Sequence, residues 1–303
     1  MFSKIRPHFL KVSLFFGLLS VFSAASCSGD PAGDGKCMVW KVEGEKATVY
    51  LAGSIHVLRK EDYPLPAAYD AAYADSSRLA FELPPGAASD PKTAMAMMAA
   101  GSYPAGETMD DHLSEEALKE LNAYLKKSGM PAQLKTMRPW LFSVAISMQE
   151  MLKLGANPDI GVDKHYEDRA KKDKKPAEGL ESVEDQVSVF STLTEEQQEQ
   201  MLVKTLAELS EVGDVFKGML ESWKTGDAEG LHRLMTKEAD DFPELMEALL
   251  DKRNANWMEQ ITGYIEGDEN VMVIVGAGHL SGEGSVIDLL EKKGYKPVQQ
   301  AGK

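Results

Sequence analysis

The chain has 303 residues, 43% of them hydrophobic, which is enough to fill the core of one large domain or two small ones. Its formal net charge of −15 argues against nucleic acid or an anionic membrane face as the main partner, because phosphate binding needs local positive charge. With two cysteines, the sequence offers neither a disulfide framework nor a thiolate metal site.

The first residues have the layout of a secretory signal. A basic start is followed by an apolar run at residues 12–22 and by small residues before Cys27. The apolar run is too short to span a membrane stably. The sequence therefore predicts a signal peptide over residues 1–26 and export to the periplasm or the outer membrane.

Two routes of processing stay open at this segment. Small residues directly before Cys27 resemble a bacterial lipobox, in which Cys27 would be lipidated and would anchor the chain to a membrane, although Ala24 stands where leucine is usual. Ordinary cleavage, after Ala25 or Ser26, is the alternative. Cys27 would then be unlipidated and could form a disulfide with Cys37 in an oxidising compartment. Residues 27–36 are rich in glycine and polar side chains, which predicts a flexible tether.

Short strands and a helix are predicted directly after the tether. Residues 38–42 and 47–51 are β-prone runs separated by an acidic turn with a glycine, and this pattern predicts a hairpin. A helix over residues 66–75 and a strand over residues 78–83 follow.

Helical periodicity dominates the middle of the chain, from about residue 90 to 265. The chain then ends with an apolar strand at 271–275, a helix at 285–293 and an edge strand at 296–299. Because residues 271–275 are apolar without interruption, we expect this strand to be central and covered by helices on both faces.

The fold class predicted for residues 37–303 is therefore α/β. Strands from both ends of this region, at about 38–85 and 270–300, share a central mixed sheet that is flanked by helices. The helical middle is inserted between them as a large cap.

A strand followed by Gly-x-x-His occurs twice, at Gly53 to His56 and at Gly276 to His279. In an open α/β sheet, a turn directly after a strand lies at the carboxyl edge, where such folds bind ligands. Glycine at the first position permits a tight exit and leaves room beside the backbone. We therefore predict that His56 and His279 share one site.

Glu82 adds a carboxylate to this site. It falls within the apolar strand at 78–83, where a charged side chain is costly unless it meets a cation, a proton or a metal. Two imidazoles and a carboxylate suit a divalent cation such as Mn, Co or Zn, with open positions for water. His56, Glu82 and His279 are thus candidate metal ligands, and the metal would activate its water for hydrolysis.

The sequence resembles the TraB/PrgY/GumN family, which includes the Tiki proteases. The resemblance is carried, in chain order, by Trp40-Lys41-Val42, residues 51–57, Phe81-Glu82-Leu83, Arg138-Pro139-Trp140, Gly161-Val162-Asp163, Leu180-Glu181, Gly226-Asp227, Arg253-Asn254-x-x-Trp257 and residues 275–280.

The resemblance implies an erythromycin-esterase/ChaN/Tiki-like fold. It also implies an active site of two Gly-x-x-His motifs and a glutamate, which match His56, His279 and Glu82. For Tiki relatives the implied activity is metal-dependent proteolysis, so a peptide or protein is the implied substrate.

Three further residues match the family pattern. Arg253 lies late in the helical segment that leads back to the final strand, where it could stabilise an oxyanion or form a surface salt bridge. Asp163 and Glu181 could fix the orientation of the histidines, although helix capping or solvent exposure explains each equally well.

Three functions stay open at this point. The first is a metal-dependent hydrolase of peptide bonds. The second is a metal-free hydrolase of the erythromycin-esterase type, in which His56 activates water while Arg253 and His279 hold the oxyanion. The third is a lipoprotein that binds a peptide or haem and does no chemistry, as haem-binding relatives of the same broad superfamily suggest.

Overall fold

The structure is a computed structural model that describes residues 35–236 and 242–302. The predicted signal peptide over 1–26, the predicted lipidation site Cys27 and most of the tether lie outside the described residues. Across the described ranges, no helix combines the length and the apolar character needed to cross a membrane.

A six-stranded mixed sheet forms the centre of the fold, with strand order β4-β3-β5-β2-β1-β6. The strands are β1 Lys36–Glu43, β2 Thr48–Ser54, β3 Arg78–Phe81, β4 Ala177–Gly179, β5 Val271–Gly276 and β6 Val298–Ala301. β1 and β2 form the predicted hairpin, and β6 pairs antiparallel with β1 as the predicted edge strand. β5 runs parallel to both of its neighbours, β2 and β3.

The central position of β5 follows from its composition. Every residue of β5 is buried, because it pairs with a strand on each side and is apolar throughout, so both of its faces can be covered by packed side chains. The prediction of an α/β fold with a sheet shared by both ends of the chain is confirmed.

Helices occupy most of the chain between β3 and β5 and flank the sheet. The α-helices of the described residues are α1 Ala67–Asp75, α2 Pro91–Ala100, α3 Met109–His112, α4 Glu115–Ser128, α5 Pro139–Lys153, α6 Val162–Asp173, α7 Val183–Ser188, α8 Glu195–Glu208, α9 Val212–Thr225, α10 Ala228–Thr236, α11 Pro243–Met246, α12 Lys252–Glu266 and α13 Val286–Lys292. A π-helical turn at Glu247–Asp251 leads into α12.

The middle of the chain, predicted to be dominated by helices over 90–265, also contains one short strand, β4. β4 pairs parallel with β3 in the register Leu79 to Ala177 and extends the sheet by one edge strand. Its three residues include a charged side chain and a glycine, and they carry no apolar alternation. The strand is therefore set by its backbone partner, not by a pattern in its own sequence.

Glu82 also differs from expectation, because it lies just beyond β3 and not within it. β3 ends at Phe81, and two backbone hydrogen bonds to the chain after β4 continue past its end, from Leu180 N to Phe81 O at 2.8 Å and from Glu181 N to Glu82 O at 3.0 Å. Glu82 consequently leaves the sheet at the carboxyl edge, where the two Gly-x-x-His turns also leave.

Candidate active site

The two Gly-x-x-His turns lie side by side because β2 and β5 are parallel neighbours. Their register pairs Ser54 with Gly276, so both chains leave the sheet at the same level. A Cβ atom at Gly276 would lie 3.1 Å from Glu82 Oε1, 3.5 Å from His279 Cδ2 and 3.6 Å from His56 Nε2. The three predicted side chains therefore converge on the space that this glycine leaves empty.

His56 is oriented by Asp163. The imidazole Nδ1 lies 3.0 Å from Asp163 Oδ1, and the buried hydroxyl of Ser54 donates to the same oxygen at 2.9 Å. Asp163 belongs to the first turn of α6, which can come this close because a Cβ at Gly161 would lie 2.2 Å from His56 O. The backbone of His56 thus requires glycine at the start of α6.

The charge on His56 reflects two opposed effects. Burial disfavours the charged imidazolium, but the carboxylate of Asp163 outweighs burial and raises the pKa of His56 to about 9. The His56 side chain is 15% exposed and that of Asp163 is 33% exposed, whereas the His279 side chain is 1% exposed. Solvent therefore reaches the site from the side of His56.

The loop that follows His56 is tied down by a buried carboxylate. Asp62, whose side chain is fully buried, forms ion pairs with Arg59 at 2.8 Å and with Lys224 of α9 at 2.6 Å. These contacts join the loop to the helical region and limit its movement away from the sheet edge.

His279 is held in one tautomer by Asn254. Asn254 Nδ2 donates to Gly284 O at 2.9 Å, so its Oδ1, which lies 2.7 Å from His279 Nδ1, accepts the imidazole proton. The lone pair of His279 Nε2 accepts from Arg253 Nη1 at 3.0 Å. Burial, together with the charge of Arg253, lowers the pKa of His279 to about 3, so this imidazole is neutral.

Glu82 is an ionised carboxylate that hydrogen bonds and a nearby positive charge stabilise. Its Oε1 accepts from the Gly276 amide at 2.6 Å, and its Oε2 accepts from Arg253 Nη2 at 2.7 Å. Burial opposes the charge, but Arg253 and the neighbouring histidines outweigh it and hold the pKa of Glu82 well below its usual range.

Arg253 connects the glutamates to His279 from the first turn of α12. Its Nε donates to Glu181 Oε2 at 2.9 Å and its Nη2 donates to Glu181 Oε1 at 2.6 Å. Its Nη1 also donates to Leu249 O, in the π-helical turn, at 2.9 Å. The guanidinium lies over the Trp257 ring at 5.0 Å. It is therefore a buried, fully engaged cation and not a surface salt bridge.

The structure thus brings together all of the residues predicted for this charged site. Glu181, for which orientation of a histidine, helix capping and solvent exposure were left open, contacts Arg253 and Trp257. Burial and the nearby charge of Glu82 raise the pKa of Glu181 against the opposing effect of Arg253. Asn254 takes the orienting role at His279.

Gln186 and Asn254 are site residues that the sequence reasoning missed. Gln186 of α7 is buried, and its Nε2 lies 3.3 Å from Glu82 Oε2 and 3.2 Å from Glu181 Oε1, so it links the two carboxylates. Nothing in the sequence around Gln186 signals this contact. Asn254 had a signal, because it directly follows Arg253.

The donor types and their spacing from Glu82 suit a divalent cation, but the hydrogen bond between Arg253 and His279 occupies one of the ligand positions. Glu82 Oε1 lies 3.9 Å from His56 Nε2 and 3.8 Å from His279 Nε2. The lone pair that His279 would offer accepts a hydrogen bond from Arg253, so a positive charge stands where the metal would bind. In residues 35–236 and 242–302, no three His, Cys, Asp or Glu side chains are grouped to hold a metal ion.

A mixed sheet that gathers two histidines, a glutamate and an arginine at one edge defines an α/β protein with a buried, charged polar site. The chain belongs to the TraB/PrgY/gumN family, which it matches over residues 38–299, and the predicted family is confirmed.

Two kinds of relative accompany this match. The chain is 25% identical over 242 residues to "Uncharacterized protein YbaP" of Escherichia coli (strain K12), covering 80% of this chain and 87% of that protein, and the Shigella flexneri protein of the same name gives the same values. It is 24% identical over 323 residues to "Metalloprotease TIKI1" of Danio rerio, covering 88% of this chain and 63% of that protein. No solved structure matches the chain.

Proposed function

We propose that this protein is a hydrolase of peptide bonds whose chemistry takes place where His56, Glu82 and His279 meet Arg253. The observation that carries the proposal is their convergence over Gly276, where a methyl group would touch three of these side chains. Buried ionisable groups with strongly shifted pKa values, gathered at a sheet edge, are typical of catalytic sites.

His56 is the group that activates water in this proposal. Its Nδ1 is held by Asp163 at 3.0 Å, so Nε2 faces the centre of the site. A neutral His56 would take a proton from water through Nε2 as the water attacks the carbonyl carbon. It would then return the proton to the leaving amine. Because its pKa is about 9, the neutral base becomes more abundant as pH rises toward that value.

Arg253 supplies positive charge for the oxyanion. The earlier expectation that His279 also donates to it does not agree with the tautomer, because His279 carries its proton on Nδ1, toward Asn254. We propose that His279 instead positions Arg253 through Nε2, and that Glu82 fixes the second amino group of the guanidinium.

Metal dependence is the second candidate, favoured by the donor types that converge over Gly276 and by the name of the TIKI1 relative. His56, Glu82 and His279 would hold Mn, Co or Zn, and the ion would supply Lewis acidity and a more acidic water. The hydrogen bond from Arg253 to His279 counts against this form of the proposal.

We also propose a peptide or protein substrate and an exported location. The word "metalloprotease" in the name of the TIKI1 relative supports a peptide or protein substrate. The signal-like pattern at 1–26 supports export to the periplasm or outer membrane, with Cys27 as the lipid anchor.

The test compares wild type with His56→Ala, Glu82→Gln and His279→Ala on a library of internally quenched peptides. Metal content is measured by mass spectrometry before and after treatment with a chelator. His112→Ala is the matched control, because His112 pairs with Glu107 outside the site. We expect cleavage by wild type and the control, and a loss of at least about 100-fold in the three site variants.

Each result decides between the readings. Full cleavage by metal-free protein removes metal dependence, whereas cleavage that returns only with added metal supports it. Equal cleavage by all the variants would show that the site is assigned wrongly. If no peptide is cut, a haem titration tests the binding role, and a Soret band that is lost in His56→Ala or His279→Ala would support haem binding.

A further inference from the structure

We propose that the guanidinium of Arg253 and a divalent cation are mutually exclusive occupants of the same place. Arg253 is then the built-in cation of the site, and its removal creates a metal site from the remaining side chains. The catalytic meaning of this inference rests on the proposed hydrolase function, but the exclusion itself is a statement about binding.

The exclusion follows from the single lone pair on the inward nitrogen of His279. A metal–imidazole bond is about 2.0 to 2.1 Å long and needs this lone pair. Here the lone pair accepts from Arg253 Nη1 at 3.0 Å, because Asn254 holds the ring proton on the other nitrogen. His279 therefore cannot bind a metal while it binds Arg253.

The guanidinium is fixed and cannot leave without losing several partners. Its side chain is 5% exposed, and it donates to Glu82, to Glu181 and to the carbonyl of Leu249 while it lies over Trp257. A weakly held surface arginine would yield its place to a metal, but one with this many charge-assisted bonds resists displacement.

The negative charge of two buried glutamates favours binding of another cation when Arg253 is removed. The side chains of Glu82 and Glu181 are 8% and 6% exposed, and Arg253 bonds to both. Without it, two buried carboxylates would face two imidazoles with little solvent to screen them, and such groups take up protons or bind a cation. A divalent ion would balance both charges and would have the two histidines as further ligands.

The test measures binding of cobalt(II) by its visible absorption and by calorimetry, with chelator-treated protein and no substrate. In wild type, any binding of cobalt should be weak and should not depend on His279. Arg253→Met should bind one equivalent of cobalt at least about tenfold more tightly than wild type does, because the imidazole of His279 is then free to bind the ion. The double variant Arg253→Met/His279→Ala should lose this binding. Arg78→Met is the matched control, since Arg78 pairs with Glu178 at the opposite end of β3 and its loss should change nothing.

A second variant protects the test against loss of folding. Arg253→Met/Glu181→Gln removes one cation and one carboxylate together, so fewer unpaired charges are left buried, and it should also bind cobalt through His56, Glu82 and His279. Folding of each variant is checked by circular dichroism.

Two results would overturn the inference. One is a wild-type protein that binds cobalt through His279 with Arg253 in place. The other is the absence of cobalt binding in folded Arg253→Met and in folded Arg253→Met/Glu181→Gln. A protein that cleaves no peptide but shows the expected cobalt pattern would refute the proposed hydrolase function and leave the exclusion standing.

Discussion

Replacing Gly276 by alanine places one methyl group at the centre of the site. The backbone of Gly276, with φ −51° and ψ 135°, is open to any L-residue, so the substitution brings no backbone strain. The new Cβ would lie 3.1 Å from Glu82 Oε1, 3.5 Å from His279 Cδ2 and 3.6 Å from His56 Nε2. The change therefore acts on the side chains alone.

The contact with Glu82 sets the size of the effect. Relief of a 3.1 Å contact requires a shift of a few tenths of an ångström, and Glu82 Oε1 is bound to the Gly276 amide at only 2.6 Å. We expect a loss of about 1 kcal/mol in the free energy of unfolding, at the lower end of overpacking costs. Because small misplacements of reacting groups are costly, kcat/KM should fall by about 10- to 100-fold, or roughly 1.4 to 2.7 kcal/mol.

The assay measures kcat/KM on a cleaved peptide beside urea denaturation. Gly263→Ala is the matched control, because a Cβ at Gly263 in α12 meets nothing within 4 Å. It should keep full activity and gain up to about 1 kcal/mol from helix propensity. If folded Gly276→Ala cleaves peptide within about twofold of this control, the convergence over Gly276 is not the catalytic centre.

Three further outcomes are expected. The pKa of His56 is about 9 in the folded protein and 6.5 in the unfolded chain, so stability should fall as pH rises from 6.5 to 9, where only the folded protein keeps this proton. The pKa of His279 is about 3 in the folded protein, so stability should also fall as pH drops from 6.5 to 3, where only the unfolded chain protonates this histidine. Urea melts across this range should show His56→Gln flattening the alkaline limb alone, and a profile identical to wild type would contradict this assignment. Cys37 is buried, and burial raises the pKa of its thiol to about 11. Iodoacetamide at pH 8 should therefore label the Cys37 peptide only after unfolding, and fast labelling of the native protein would disprove the burial of this thiol. Asp62→Ala should cost about 1.5 to 3 kcal/mol in urea denaturation, because it removes the buried carboxylate that bonds to Arg59 and Lys224. Glu61→Ala should cost under about 1 kcal/mol, and equal losses would show that burial of Asp62 is unimportant.

The sheet was predictable where the chain's own pattern is strong. β5 is apolar throughout, and β1 and β2 flank a glycine turn, so their partners follow from general rules. β4 carries no such pattern, since a partner strand decides its conformation. The same limit explains Glu82, which the apolar run around it placed inside a strand that ends one residue earlier.

The site was predictable through residues that lie beside a strand end. His56 and His279 each follow a strand and a glycine, and that local geometry directs both to the same edge. Gln186 reaches the site from a helix whose position depends on how the cap packs, and tertiary packing of that kind leaves no short-range signal. The tautomer of His279 likewise depends on Asn254, which lies 25 residues away in sequence.

The parallel pairing of β2 with β5 makes the candidate site depend on folding of the whole domain. Thr48 and Asn270, at the start of this pair, are joined by a hydrogen bond across 222 residues of chain, so the two histidines come together only when the ends of the domain meet. Closing a loop of this length is slow because its entropy is lost before the new contacts form. A chain cut between the two strands, or caught half-folded, would hold only half of the site.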